Sequence, residues 1–226
     1  MRKRAVEISD QTTARLSVYL RCLTALEKEG IQYTSSRGLA ERLQLNSAQI
    51  RKDLACFGEF GIRGVGYAVR DLRGQILRIL GLTRDLGIIV VGAGRLGTAL
   101  ADYPGFQGES VRIVSLVDVD RAKIGQRTAG GVPIRSLEKL PEIARKTGAE
   151  IAILAVPRSA AQEVADRVVR SGIKAILNFT PVPVVVPAYV KVNHVDLTRE
   201  IEGLAFFLRQ LATARKAGTE ARAASR

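Results

Sequence analysis

One short run restricts what this chain can fold into more than anything else in it. Gly92-Ala93-Gly94-Arg95-Leu96-Gly97 is entered from the apolar stretch Ile88-Ile89-Val90-Val91 and followed by residues with helical periodicity. A G-x-G-x-x-G pattern has mechanical meaning in that strand-to-helix setting. Gly92 permits a tight turn, Gly94 lets a pyrophosphate approach the backbone, and Gly97 lets helix pack closely on strand. The free N–H groups at the helix entrance and the positive end of its dipole then face the phosphates. Arg95 can add a direct charge. Asp118 closes the next apolar stretch 21 residues beyond Gly97, where a carboxylate accepts hydrogen bonds from an adenine ribose and repels a 2′-phosphate. Residues 87–118 therefore read as the first unit of a Rossmann fold holding NAD or NADH. Asp120 is a second candidate for the ribose, and Arg121 argues mildly for NADP. The plain alternative is that these glycines only make a tight turn.

From residue 87 onward short apolar runs alternate with helical segments. Strands are expected over 87–92, 111–118, 150–156 and 174–178, and helices over 95–103, 136–146 and 159–171. Nearly continuous apolar strands separated by helices imply a parallel sheet covered on both faces. A last helix, 199–214, carries Ile201, Leu204, Ala205, Leu208 and Leu211 in one stripe. Residues 215–226 are small and charged, a composition expected to be disordered.

The first third has a different grammar. Leu16, Tyr19, Leu20, Leu23 and Leu26 recur at helical spacing over 12–28, and Gly30 stops the run. Ser35 and Ser36 can cap a second helix carrying Leu39, Ala40 and Leu43. Asn46 or Ser47 can cap a third, with Ile50, Leu54 and Phe57 on one face and Gln49, Arg51, Lys52 and Asp53 largely on the other. After Gly58 the closely spaced Gly61, Gly64 and Gly66 exclude a helix, and 59–67 reads as a tight β-hairpin. A helix over 71–80 then leads to Gly81, the expected domain boundary.

Three helices followed by a hairpin is the order of a winged helix, whose third helix lies in the DNA major groove while the hairpin touches the backbone or minor groove. Ser47, Gln49, Arg51 and Lys52 are then candidates for base edges or phosphates, Arg reading guanine and Gln adenine. Arg63 and Gly64 would form the wing tip. An ordinary solvated helix face is the alternative. Charge favours DNA: the net charge is +13 and the pI about 10.3, an excess that points to a polyanionic partner. Residues 1–80 hold 14 Lys/Arg against 8 Asp/Glu, and the surplus per residue is densest there and in the tail.

No stretch of eighteen apolar residues occurs, so no membrane span is expected. Met1-Arg2-Lys3-Arg4 is followed by Glu7, Ser9, Asp10 and Gln11 rather than by an apolar segment, so no secretory signal is expected, and the thiols of Cys22 and Cys56 point to a reducing cytoplasm as the expected setting. Cys22 and Cys56 lie in apolar helical patterns without partners at metal-ligand spacing. They read as buried free thiols, with a redox role for either left open, and no metal site is expected.

Arg51-Lys52-Asp53-Leu54, Gly61-Ile62-Arg63-Gly64-Val65-Gly66-Tyr67, Gly92 through Leu100, Asp102-Tyr103-Pro104-Gly105-Phe106 and Asn178-Phe179 occur in this order. Together they resemble the Rex redox-sensing transcriptional repressors over about residues 12–212. The resemblance implies an N-terminal winged-helix DNA-binding domain, a Rossmann-fold NAD(H)-binding domain and a C-terminal helix exchanged between subunits. The matching boundaries are a flexible start 1–11, a winged helix 12–81, a Rossmann domain 82–198, a dimerisation helix 199–214 and a tail 215–226. It also implies a homodimer on palindromic double-stranded operator DNA, sensitive to the NADH/NAD ratio and released by NADH. An arginine, a tyrosine and an aspartate that couple the domains in the family match Arg21, Tyr103 and Asp196. Read from the residues alone, Tyr103 follows the fingerprint helix and Asp196 follows a strand, which would place both at the ligand-binding edge of the sheet. Where some members have phenylalanine after that aspartate, at the nicotinamide site, this chain has Leu197.

Two other readings compete. An NAD-dependent oxidoreductase could use His194 as general base with Asp196 orienting it, two residues apart on one strand face. A CoA-binding or ligand-free Rossmann scaffold would leave the basic helices unexplained.

Overall fold

The computed structural model of the protein describes residues 9–58, 60–62, 64–106 and 110–224. It divides into two compact units between Asp85 and Leu86.

In the first unit α1 (Asp10–Lys28) starts where the Ser9 side chain accepts from the Thr12 backbone N–H at 3.2 Å. A short β1 (Tyr33–Thr34) follows. Ser35 caps α2 (Ser36–Leu43) by accepting from Gly38 N–H at 3.0 Å, and Asn46 caps α3 (Ser47–Ala55) by accepting from Ala48 N–H at 2.8 Å. β2 (Tyr67–Ala68) runs straight into α4 (Val69–Ile79). Leu16, Tyr19 and Leu23 of α1, Leu39 of α2, Ile50 and Leu54 of α3, and Leu72 and Ile76 of α4 close one core. Each such aliphatic side chain contributes about 1.5–3 kcal/mol on burial.

Three expectations change here. The glycine segment makes only a narrow turn, in which Ile62 and Gly66 exchange backbone bonds of 2.8 and 2.9 Å. β2 pairs instead with β1, antiparallel, with Tyr33 opposite Ala68. Asp53 is not on the solvent face of α3: it is 2% exposed, because donors on α1 enclose it. Cys22 is buried, but Cys56 is exposed at the end of α3, where its thiol donates to Lys52 O at 3.3 Å. Arg63 lies outside the described residues, as do residues 1–8.

The second unit is an α/β layer structure. Its strands are β3 (Leu86–Val91), β4 (Val111–Asp118), β5 (Ile134–Ser136), β6 (Ala149–Leu154), β7 (Ala175–Asn178) and β8 (Lys191–His194). All pairs are parallel, in the order β5-β4-β3-β6-β7-β8. This is the doubly wound Rossmann order, which reverses direction between β3 and β6. The helices α5 (Arg95–Ala101), α6 (Leu140–Thr147) and α7 (Ala161–Arg170) cover it. Ile89 and Val91 face a core with Leu140, Ile143, Val164 and Val168, while Ile88 and Val90 face one with Ala101, Leu116 and Ile153. That alternation on a strand apolar on both sides buries β3 from Gly87 to Val91.

The final helix, α8 (Leu197–Ala224), runs ten residues past the expected end at 214. Alanine, arginine, lysine and glutamate dominate that extension, and they are strong helix formers as well as common residues of disordered tails. Ile201, Leu204, Phe207 and Leu208 along α8 are each more than half exposed in the single chain. Among the described residues no helix is long and apolar enough to cross a membrane.

Candidate functional site

The glycine run connects β3 to α5 at the carboxyl edge of the sheet, beside the point where strand order reverses. Gly92 has φ +103°, and a Cβ there would lie 2.4 Å from Ala155 O, so no other residue fits the turn. At Gly97 a Cβ would fall 1.8 Å from Gly92 O, which makes this glycine the contact of helix on strand. Gly94 is different: a Cβ there meets no protein atom within 4 Å, and the residue is the N-cap of α5 with no side-chain cap bond. The backbone is thus bare toward solvent where a phosphate would approach, and the free N–H groups of α5 open onto the same space. Arg95 and Leu96 are exposed on the first turn of α5, while Ala93 and Gly97 are buried.

Asp118, at the end of β4, closes the other side of the loop. Its Oδ2 accepts from Ala93 N–H at 2.6 Å and its Oδ1 from Asp120 N–H at 2.9 Å. Burial opposes ionisation most strongly, but the Asp120 and Ala93 N–H bonds and the nearby Lys123 outweigh it, holding the carboxyl below its ordinary range. Lys123 Nζ lies 3.6 Å from Asp118 and 3.4 Å from Asp120. A cleft of about 320 Å³ joins these groups: Gly92, Gly94, Asp118 and Lys123 supply its polar end, and Val117, Val119, Leu137, Val156 and Pro157 its apolar walls. Apolar walls with a carboxylate at one end and bare amides at the other suit an adenosine diphosphate moiety. The sequence reading missed Lys123 and the 156–157 wall. Only the spacing Asp118, Asp120, Lys123 hinted at the former.

The remaining predicted nucleotide residues stand elsewhere in the unit. Tyr103 is 56% exposed and packs edge-on against Phe106, ring centroids 5.5 Å apart. Asp102, just before it, accepts from Thr128 Oγ1 and from Gly130 N–H at 3.0 Å, tying this segment to the loop before β5. Asp196 is the N-cap of α8, its Oδ1 accepting from Thr198 and Arg199 N–H at 3.0 and 3.2 Å, and Leu197 is 63% exposed at the helix start. His194 does not pair with Asp196: its Nε2 lies 3.1 Å from Asn178 Nδ2. Arg21 is exposed on α1 of the first unit.

On α3, Arg51 and Lys52 are exposed, and Arg51 donates to Ser36 Oγ at 3.0 Å. Ser47 and Gln49 are half-buried, and Gln49 Nε2 donates to Asp53 at 2.8 Å. Arg51, Gly64 and the glycine turn line one cleft of about 610 Å³, so the third helix and the wing face a common space.

Residues 7–55 match the family model described as putative DNA-binding protein N-terminus, and residues 83–182 match that of the CoA binding domain. The redox-sensing transcriptional repressor Rex of Thermus thermophilus is 48% identical over 202 residues, 89% of this chain and 94% of that protein. The chain belongs to the Rex family. Solved structures of RSP, a Rex-family repressor, agree. RSP in complex with β-NAD+ and operator DNA has a TM-score of 0.86 at 33% identity, covering 95% of this chain and 99% of that one. RSP in complex with β-NADH has a TM-score of 0.80 at 32% identity, covering 93% and 99%.

Rex proteins are redox-sensing repressors, so this chain is a transcriptional regulator and not an enzyme. That sets aside the oxidoreductase with His194 and Asp196. The CoA-binding scaffold is set aside as well, since its family model covers only the Rossmann unit whereas Rex likeness covers both units.

Proposed function

We propose that this Rex-family chain acts in the cytoplasm as a homodimer on palindromic operator DNA, and that it releases the DNA when NADH fills the cleft beside Gly94. The observation that carries the nucleotide part is the Asp118 carboxylate, held ionised and bonded to the glycine loop at the crevice of the Rossmann sheet. An ionised carboxylate there accepts from ribose hydroxyls and repels a 2′-phosphate, which favours NAD(H) over NADP(H).

Each unit has its own task. Ser47, Gln49, Arg51 and Lys52 on α3, with Arg63 and Gly64 on the wing, meet bases and phosphates. Gly92, Ala93, Gly94, Arg95, Leu96, Gly97 and Asp118 hold the pyrophosphate and adenosine, and Tyr103, Asp196 and Leu197 line the nicotinamide end. The exposed apolar stripe of α8 is covered by a second copy of the chain. Arg21, Tyr103 and Asp196 carry the coupling. Asp196 uses Oδ1 to cap α8, so a partner drawn to this carboxylate also acts on the start of the dimerisation helix.

The switch is a linkage. The geometry that fits DNA must bind NADH less well than the released geometry, and DNA must then weaken NADH binding by the same factor. The test is selection of duplexes from a random pool by the full-length protein, followed by elution with NADH. A palindromic consensus eluted by NADH is expected. No enrichment, or bound duplex that NADH leaves in place, contradicts the reading.

A further inference from the structure

Asp53 is a buried carboxylate to which the repressor reading gives no task. It receives four hydrogen bonds: Arg15 Nε at 2.5 Å and Nη2 at 2.8 Å, the Tyr19 hydroxyl at 2.8 Å and Gln49 Nε2 at 2.8 Å. A carboxyl sealed in a core without donors takes up a proton. Here the Arg15 bonds, joined by Tyr19 and Gln49, overcome the cost of burial and keep it ionised. Arg15 and Tyr19 stand on α1, whereas Gln49 stands on α3 one turn before Asp53, so the carboxylate ties the two helices together.

An ionised carboxylate offers acceptors only, so Gln49 must turn its NH₂ toward Asp53 and the orientation of its amide is fixed. One N–H and Oε1 of that amide remain. A donor beside an acceptor in one plane matches the N7 acceptor and N6 donor on the major-groove edge of adenine. We infer that Asp53 is a positioning residue for base reading: it sets the Gln49 amide so that its remaining N–H and Oε1 form an adenine-reading pair, on a helix locked to α1. This rests on the DNA-binding reading of α3.

The test uses the full-length protein and the duplex that the unmodified protein enriches from a random pool. Gln49→Ala is expected to relax preference at one A·T pair in each half-site by about tenfold. Asp53→Asn can present an amide N–H to Gln49 and so frees the Gln49 side chain to flip. It is expected to relax the same pair while leaving NADH affinity unchanged. In the double variant Asp53→Asn should add little to the loss from Gln49→Ala, because the two act through one contact. If Asp53→Asn does not fold, Arg15→Gln carries the test, with partial relaxation at the same pair expected. A uniform affinity loss with base preference intact, or fully additive losses in the double variant, overturns the inference and leaves the repressor reading standing. If the unmodified protein enriches no duplex, both fall.

Discussion

Gly94→Val separates the nucleotide grip from the rest of the fold, because the space around this residue is defined. A Cβ at Gly94 meets no protein atom within 4 Å, and φ −80° with ψ −175° is extended backbone that a β-branched residue adopts readily. No side-chain cap bond exists there to lose. A side chain in place of glycine restricts the unfolded chain and favours folding by about 0.4–1 kcal/mol, and leaving glycine at a helix entrance costs about that much. Stability should therefore change by less than about 0.5 kcal/mol. The valine side chain would instead fill the approach of the pyrophosphate. Losing two backbone bonds to a charged group, each about 1.5–3 kcal/mol, lowers NADH affinity by roughly a hundredfold or more. Gly97→Ala makes the contrast, since its Cβ would lie 1.8 Å from Gly92 O and overpacking of that kind costs about 3 kcal/mol. Thermal unfolding and NADH titration of both variants are the assays, with DNA binding as control. The expected Gly94→Val protein melts like the unmodified one, binds DNA and ignores NADH. Destabilisation equal to that of Gly97→Ala, or retained NADH affinity, refutes the reasoning.

Arg51→Ala should weaken binding to the selected duplex by about 1–3 kcal/mol in an anisotropy titration while NADH affinity stays constant; a matching loss of NADH affinity would argue against separate sites. Asp53 has its folded-state pKa lowered, first by Arg15, so its stabilisation is complete above the unfolded value of about 3.9 and is lost as pH falls through the lower folded value. Denaturant titrations of the first unit should thus show no contribution from Asp53 to pH dependence from about pH 5 to 8 and a loss below about pH 4 that Asp53→Asn lacks. A loss near neutral pH that Asp53→Asn abolishes would contradict this. Leu204→Glu with Leu208→Glu places two charges in the exposed stripe of α8 and should shift the dimer to monomer by sedimentation, since each buried leucine contributes about 1.5–3 kcal/mol; an unaltered dimer would put the interface elsewhere.

The parts legible in the sequence were those written in contiguous residues. The glycine run, the strand before it and Asp118 share one βαβ unit, and the structure places them around one cleft. Helix caps at Ser35 and Asn46 were equally local. What escaped depends on partners far along the chain or on elements too short to show a period. Asp53 looks like part of a polar helix face until Arg15 and Tyr19, more than thirty residues upstream, close over it. β1 has two residues and β5 three, less than the alternation that marks a strand. Asp196 gives α8 a cap that the sequence does not announce, beside its expected place at the ligand-binding edge. The end of α8 reads as tail in the sequence because one composition serves both states.

The central claim is that nucleotide and DNA compete through one equilibrium. The most direct measurement is the affinity of the full-length protein for NADH and for NAD+, each with and without saturating selected duplex. DNA is expected to weaken NADH binding by the same factor by which NADH weakens DNA binding, with a much smaller factor for NAD+. NADH affinity unchanged by DNA, or equal factors for the two nucleotides, would contradict it.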